Sequence, residues 1–155
     1  MKDVTVTTKS EQTVTTPQDF FDAVQSRFGT FRVDLAAHIF NAQCSVFLDE
    51  AQDSLKQEWY KHKGNLWLNP PFKRIEPWVK KAHLESLLGA KVFVLVPASL
   101  CTKWFKYWVE GKCMVWLLEE RLKFEGHETI YPKELMLLQY DRDLRGLGFW
   151  SWKGN

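Results

Sequence analysis

The chain has 155 residues, 45% hydrophobic and 26% charged, enough for one globular domain with a packed core and too few for two. A net charge of +2 does not by itself announce a polyanionic partner. Three widely spaced cysteines exclude a disulfide framework, and no signal-peptide pattern or long apolar span is read, so a reduced, cytoplasmic setting is expected.

Residues 1–14 are polar and Thr-rich and are expected to form a flexible N-terminal arm ahead of a single domain over 15–155. Thr16-Pro17-Gln18-Asp19 reads as a helix start, with threonine as cap, proline at the first helical position and an acid in the first turn. Phe20, Phe21, Val24 and Phe28 continue at helical spacing until Gly29. Phe31 to Leu35 reads as a strand closed by Ala36-Ala37. His38 to Lys63 offers one short strand near Val46-Phe47-Leu48 and a weak helix near Ser54 to Tyr60. Asn65-Leu66-Trp67-Leu68 is a short buried strand. Ile75, Trp78, Val79 and Ala82 then mark one face of a helix, with Pro77 near its start and Gly89 after its end.

Val92 to Val96, ended by Pro97, has the unbroken apolar character of a central parallel strand buried on both faces. A helix over Thr102 to Val109 and strands over Cys113–Leu118 and Leu135–Tyr140 complete the pattern. Of the eight tryptophans, Trp150 and Trp152 are placed to pin the C-terminus. Strands alternating with helices predict an α/β three-layer fold with a mostly parallel sheet. No internal repeat or linker interrupts it. The stretch from Ala37 to Asn65 leaves little room for two full βα units, so that part is expected to be abbreviated.

The chemistry concentrates at Asn69-Pro70-Pro71-Phe72, directly after a strand. Two prolines fix φ and remove two N–H donors, leaving nearby carbonyls as acceptors. The Asn69 oxygen and the Pro70 carbonyl can then accept from one exocyclic NH2, with Phe72 offering a face to its ring. Such a site suits methyl transfer to an amino nitrogen. The same residues also make an ordinary Pro-Pro turn leading into the next helix, and both readings stand at this point.

Thr16 to Phe21, Val33-Asp34-Leu35-Ala36-Ala37, Asn41-Ala42-Gln43-Cys44, Leu66 to Phe72, Lys103-Trp104-Phe105 and Arg121-Leu122-Lys123-Phe124 occur in one order along most of the chain. In that order the chain resembles the small phage-type DNA N6-adenine methyltransferases (the Dam-like family), which implies a Rossmann-like methyltransferase fold. The resemblance implies S-adenosyl-L-methionine as cofactor and DNA with a flipped adenine as partner, in the host cell cytoplasm if the chain is phage-encoded. It implies Asn69, Pro70, Pro71 and Phe72 as the catalytic segment and places Thr16 and Pro17 near the cofactor carboxylate. Asp53 resembles the acid that meets the cofactor adenine, with Asp49 and Glu50 competing for that role. Asp34 falls at a strand's carboxyl end, where ligands sit in open α/β sheets, and it can hold the cofactor amino group while Ala36 and Ala37 let backbone approach. Asp34 can equally cap the next turn. The glycine-rich loop of the wider methyltransferase class is absent from the first strand's end.

Lys73, Arg74, Lys80 and Lys81 follow the Asn-Pro-Pro-Phe segment and Arg121 lies near a later match. They are candidates for DNA contact, or else an ordinary solvated basic face. With nearly every segment used by the sheet, target specificity is expected to be short or relaxed. The histidines and cysteines lack compact ligand spacing, and no metal is expected. A methyltransferase acting on another amine (protein glutamine or an RNA base) and a catalytically silent nucleic-acid-binding module of the same fold remain the alternatives.

Overall fold

The computed structural model describes residues 15–38 and 40–154, so the arm expected over 1–14 lies outside the described residues. Helix α1 (Gln18–Phe28) is followed by β1 (Phe31–Asp34), β2 (Val46–Phe47) and β3 (Asn65–Leu68). Then come α2 (Glu76–Leu87), β4 (Lys91–Pro97), α3 (Lys103–Trp108), β5 (Met114–Leu118), β6 (Leu135–Tyr140) and β7 (Gly146–Trp150).

The strands form a seven-stranded sheet in the order β2-β1-β3-β4-β6-β5-β7. β2, β1, β3 and β4 run parallel, β6 is antiparallel to both β4 and β5, and β7 runs parallel to β5. The expected mostly parallel α/β sheet is present. β4 departs from the reading of a wholly parallel strand, since it has a parallel neighbour on one side only.

Alternation along the central strands builds the layers. Leu66 and Leu68 of β3 and Val92, Val94 and Val96 of β4 join Val79 and Ala82 of α2 and Phe105 of α3 in one core cluster. Trp67, Phe93 and Leu95 point to the other face, where Phe20, Phe21 and Val24 of α1 cover them. Here the apolar run is not a featureless block: each second residue serves a different helix layer.

Two expectations need correction, and one strand lies where none was expected. Thr16 does not cap α1; Pro17 is its N-cap residue, no side-chain cap bond forms, and the Thr16 hydroxyl is engaged elsewhere. No α-helix forms over Ser54 to Tyr60. Among the described residues that segment holds 3₁₀ turns at Glu50–Gln52, Ser54–Lys56 and Trp59–Lys61. Asp53, at φ 48°, breaks the run between the first two turns, and the Trp59 indole donates to the Ser54 carbonyl at 3.0 Å, closing a compact knot that a helix would open. β7 went unread because Gly146 and Gly148 hide its alternation. Gly148 lies beside Trp116, and a Cβ there would meet the indole at 3.3 Å. The abbreviation expected after β1 is real: β2 is two residues long and lies at the sheet edge.

Candidate active site

Sheet order places the carboxyl ends of β1 and β3 side by side, with Asp34 in register with Trp67. The chain leaving β1 stays clamped between its neighbours. Leu35 N–H donates to the Trp67 carbonyl at 2.8 Å, Ala37 N–H to Leu48 at 3.0 Å, and Leu48 N–H to Asp34 at 2.9 Å. A cavity of about 620 Å³ opens over these ends, and its lining includes Ala36, Ala37, Glu50, Asp53, Asn69 and Trp78. It is a concave site of small-molecule size at the end of a parallel sheet.

Asn69 and Pro71 line this cavity; Pro70 is buried, and neither it nor Phe72 lines it. Asn69 Nδ2 donates to Thr16 Oγ1 at 3.0 Å, tying the residue after β3 to the residue that precedes α1's cap. Gln43 Nε2 donates to the Thr16 carbonyl at 3.2 Å, and Gln43 N–H donates to Asp34 Oδ2 at 2.9 Å. Thr16 and Pro17 are both buried and do not line the cavity, and neither does Asp34.

The Asp34 carboxylate is 3% exposed and also accepts from Ala36 N–H at 3.3 Å. Burial pushes its pKa up to about 7, and the N–H bonds from Gln43 and Ala36 pull it back down. Both oxygens thus serve the turn that follows β1, as a cap would. The neighbouring Cys44 thiol is pushed up to about 12, by burial first and by the charge of Asp34 second, so it is not a thiolate nucleophile at neutral pH.

Phe72 is half-buried and packs edge-on in an aromatic trio. Its ring lies 6.0 Å from Phe124 and 5.7 Å from Tyr131, which are 5.5 Å from each other. Tyr131 N–H donates to the Leu122 carbonyl at 2.8 Å, and burial raises its phenol pKa. The loop between β5 and β6 therefore comes to the Asn-Pro-Pro-Phe segment. It is held there by a bridge between Glu125 and Thr15.

The three competing acids all line the cavity. Asp49 is committed to a capping box with Gln52, its Oδ1 accepting at 3.2 Å. Asp53 pairs with Lys56 at 3.5 Å across an exposed surface. The Glu50 carboxylate makes neither hydrogen bond nor ion pair among the described residues.

The basic candidates divide. Lys73 and Arg74 are exposed beside the Asn-Pro-Pro-Phe segment. Lys81 turns inward: Nζ meets Glu85 Oε2 at 3.2 Å with side chains 18% and 11% exposed, and lies 5.2 Å from the Trp59 ring centre. Lys80 is exposed with Nζ 5.4 Å from the Trp108 ring. Arg121 sends Nε and Nη2 to Glu134 Oε1 at 3.1 and 2.6 Å. Among the described residues no group of His, Cys, Asp and Glu could hold a metal ion, and no helix is long and apolar enough to cross a membrane.

Three residues of this neighbourhood carry no distinguishing signal in the sequence. Gln43 sits inside a matched stretch without a role. Trp78 looks like one more apolar helix position, yet it walls the cavity and stacks on Trp59. Tyr131 lies in a polar loop with no periodic signal.

Comparison with known proteins gives concordant matches. The family model described as DNA N-6-adenine-methyltransferase (Dam) matches residues 4–134. A relative from Escherichia phage T1 named DNA N-6-adenine-methyltransferase is 34% identical over 90 residues, covering 58% of this chain and 37% of the relative. Another of the same name, from Haemophilus phage HP1 (strain HP1c1), is 31% identical over 102 residues, covering 64% of this chain and 57% of the relative. The chain thus spans 37% and 57% of the lengths of these curated relatives. Among solved structures, a modification subunit of a putative type I restriction enzyme from Vibrio vulnificus YJ016 superposes over 64% of this chain and 28% of that one. It is 16% identical with a TM-score of 0.34, too slight a likeness to carry argument.

Proposed function

Because the chain belongs to the DNA N-6-adenine-methyltransferase (Dam) family, we propose that it transfers a methyl group from S-adenosylmethionine to the N6 amine of adenine in DNA. The observation that carries this reading is that Asn69 and Pro71, directly after β3, line the cavity over β1 and β3. S-adenosylmethionine supplies a methyl group on a positively charged sulfur, an electrophile for an amine lone pair.

The cavity suits that cofactor. Its volume falls within the roughly 300–1,000 Å³ typical of small-molecule sites. Ala36 and Ala37 add no bulk beyond Cβ, and Glu50, in the turn after β2, brings a carboxylate to the lining, where an acid can accept from ribose hydroxyls. Asp53 is the further acid for the adenine amine, and Trp78 supplies an apolar wall. Asp34, its oxygens taken by backbone N–H groups, shapes the loop that follows β1 and acts on the cofactor through Ala36 and Ala37.

Adenine N6 is inaccessible inside a duplex, so the base is flipped out at a cost of about a few kcal/mol. The Asn69 oxygen and the Pro70 carbonyl then accept from the two N–H groups of the amine, directing its lone pair at the methyl. Phe72, backed by Phe124 and Tyr131, contacts the ring. Positioning and exclusion of water supply the rate, and no general base is required before transfer. Lys73 and Arg74, exposed beside this segment, are assigned to the phosphate backbone of the DNA.

The test is transfer of labelled methyl to DNA, followed by identification of the modified base. Asn69→Ala is expected to abolish adenine methylation while cofactor affinity stays within a few fold. Retained activity in that variant, or label appearing on protein or RNA in place of DNA, refutes the reading.

A further inference from the structure

We propose that Thr16 and Gln43 are positioning residues for Asn69, which they hold in the orientation needed to receive the target amine; this rests on the functional reading above. The assignment comes from a continuous set of hydrogen bonds joining the ends of two strands. Asp34 Oδ2 accepts from Gln43 N–H, Gln43 Nε2 donates to the Thr16 carbonyl, and Thr16 Oγ1 accepts from Asn69 Nδ2. These contacts join residues 27 and 53 positions apart, so they are built by the tertiary fold.

Thr16 is suited to the task. It is 2% exposed, and α1 behind it is anchored by Phe20, Phe21 and Val24 in the core. Its hydroxyl takes no part in capping α1, where a threonine would ordinarily serve the backbone. The Thr16 carbonyl is clamped in turn by Gln43, which is itself held by the turn after β1. An asparagine amide has a donor end and an acceptor end, and committing Nδ2 to Thr16 settles which end can accept from an amine. Neither Thr16 nor Gln43 lines the cavity, so each acts through Asn69.

This role and direct contact with the cofactor make opposite kinetic predictions. A residue that only orients Asn69 lowers kcat when its hydrogen bond is lost, and leaves cofactor binding unchanged. The experiment uses the whole chain, with Thr16→Val (same shape, no hydroxyl), Thr16→Ser (hydroxyl retained) and Gln43→Met (similar length, no amide). Methyl transfer to DNA is measured under saturating cofactor, cofactor affinity by calorimetry, and folding by thermal denaturation. Thr16→Val is expected to lower kcat by about ten- to a hundredfold, the scale of a small misplacement of a positioned group. Cofactor affinity stays within about twofold, Thr16→Ser returns most of the rate, and Gln43→Met lowers kcat in the same direction with less effect.

Wild-type kcat in both Thr16→Val and Gln43→Met overturns the proposal. So does a loss confined to cofactor affinity, which would make Thr16 a cofactor contact. Thr16→Ser as slow as Thr16→Val reduces Thr16 to packing and also overturns it. Should Thr16→Val fail to fold, Gln43→Met carries the same test. An inactive wild-type chain overturns the functional reading and this one together, whereas an active wild type with active variants overturns this one alone.

Discussion

Replacing Lys81 with alanine separates two roles for the same positive charge. In the structure Lys81 joins α2 to the 3₁₀ knot: its ammonium meets Glu85 at 3.2 Å and sits 5.2 Å from the Trp59 ring centre. Glu85 also accepts from Tyr60 N–H at 2.8 Å, so one carboxylate fastens the helix to the turn that follows β2. Removing one partner of a fully buried pair costs about 3–5 kcal/mol. The pair here is at the edge of the core, with side chains 18% and 11% exposed, and Glu85 keeps its Tyr60 bond, so the cost falls to about 2–3 kcal/mol. Loss of the contact with Trp59 adds about 0.5–1 kcal/mol. At roughly 2–4 °C per kcal/mol for a chain of this size, Tm is expected to fall by about 5–15 °C. Urea and thermal denaturation followed by tryptophan fluorescence read that loss. DNA affinity measured against salt concentration reads the other role, since a phosphate contact contributes about −0.9 to the slope of log affinity against log salt. The expected result is a destabilised Lys81→Ala with an unchanged slope. Wild-type stability together with a slope flattened by about 0.9 would refute the reasoning and make Lys81 a phosphate contact.

Other outcomes follow from the same geometry. Asp34 titrates near 7 when folded and in the ordinary carboxylate range when unfolded, so the folded chain holds a proton that the unfolded chain has released between those limits. Its contribution to stability is complete at low pH and declines as pH rises to about 7, by at most about 1.4 kcal/mol per pH unit. Asp34→Asn is expected to flatten that decline between about pH 4 and pH 7 in urea titrations, and an unaltered slope would place the titration elsewhere. Trp78→Ala strips one wall of the cavity and is expected to weaken S-adenosylmethionine binding by roughly tenfold, about 1.4 kcal/mol by calorimetry; unchanged affinity would move the cofactor away from α2. Arg74→Ala should weaken DNA binding at all sites alike and flatten the salt slope by about 0.9. Relaxed choice of target at one base position would instead make Arg74 a base-reading residue.

Much was legible in the sequence because it was local. The helices over 18–28 and 76–87 declare themselves by apolar spacing, and β3 and β4 by short apolar runs that stop at proline or asparagine. The residues proposed to carry the chemistry, Asn69-Pro70-Pro71-Phe72, are adjacent, and their position after a strand is enough to put them at a sheet end. β7 escaped because glycines at 146 and 148 remove the alternating side chains by which a strand is recognised. The knot over 50–61 has no such signal, because Asp49 and Trp59 bind nearby backbone and Asp53 takes a positive φ, which together defeat the helix that propensities alone allow.

The commitments of individual polar groups belonged to the tertiary structure. Lys81 and Arg121 read alike in the sequence, yet one is half-buried against Glu85 and the other forks onto Glu134 at the surface. Thr16 reads as a helix cap until a residue 53 positions away supplies a better partner. Asp34 sits at the expected strand end, but backbone N–H groups of the turn after β1 occupy it and burial lifts its pKa. Strand and helix follow from periodicity, which a residue carries wherever it lies. A hydrogen bond or ion pair needs two groups within about 3 Å in a place that water does not reach, and only the packed sheet decides which two those are.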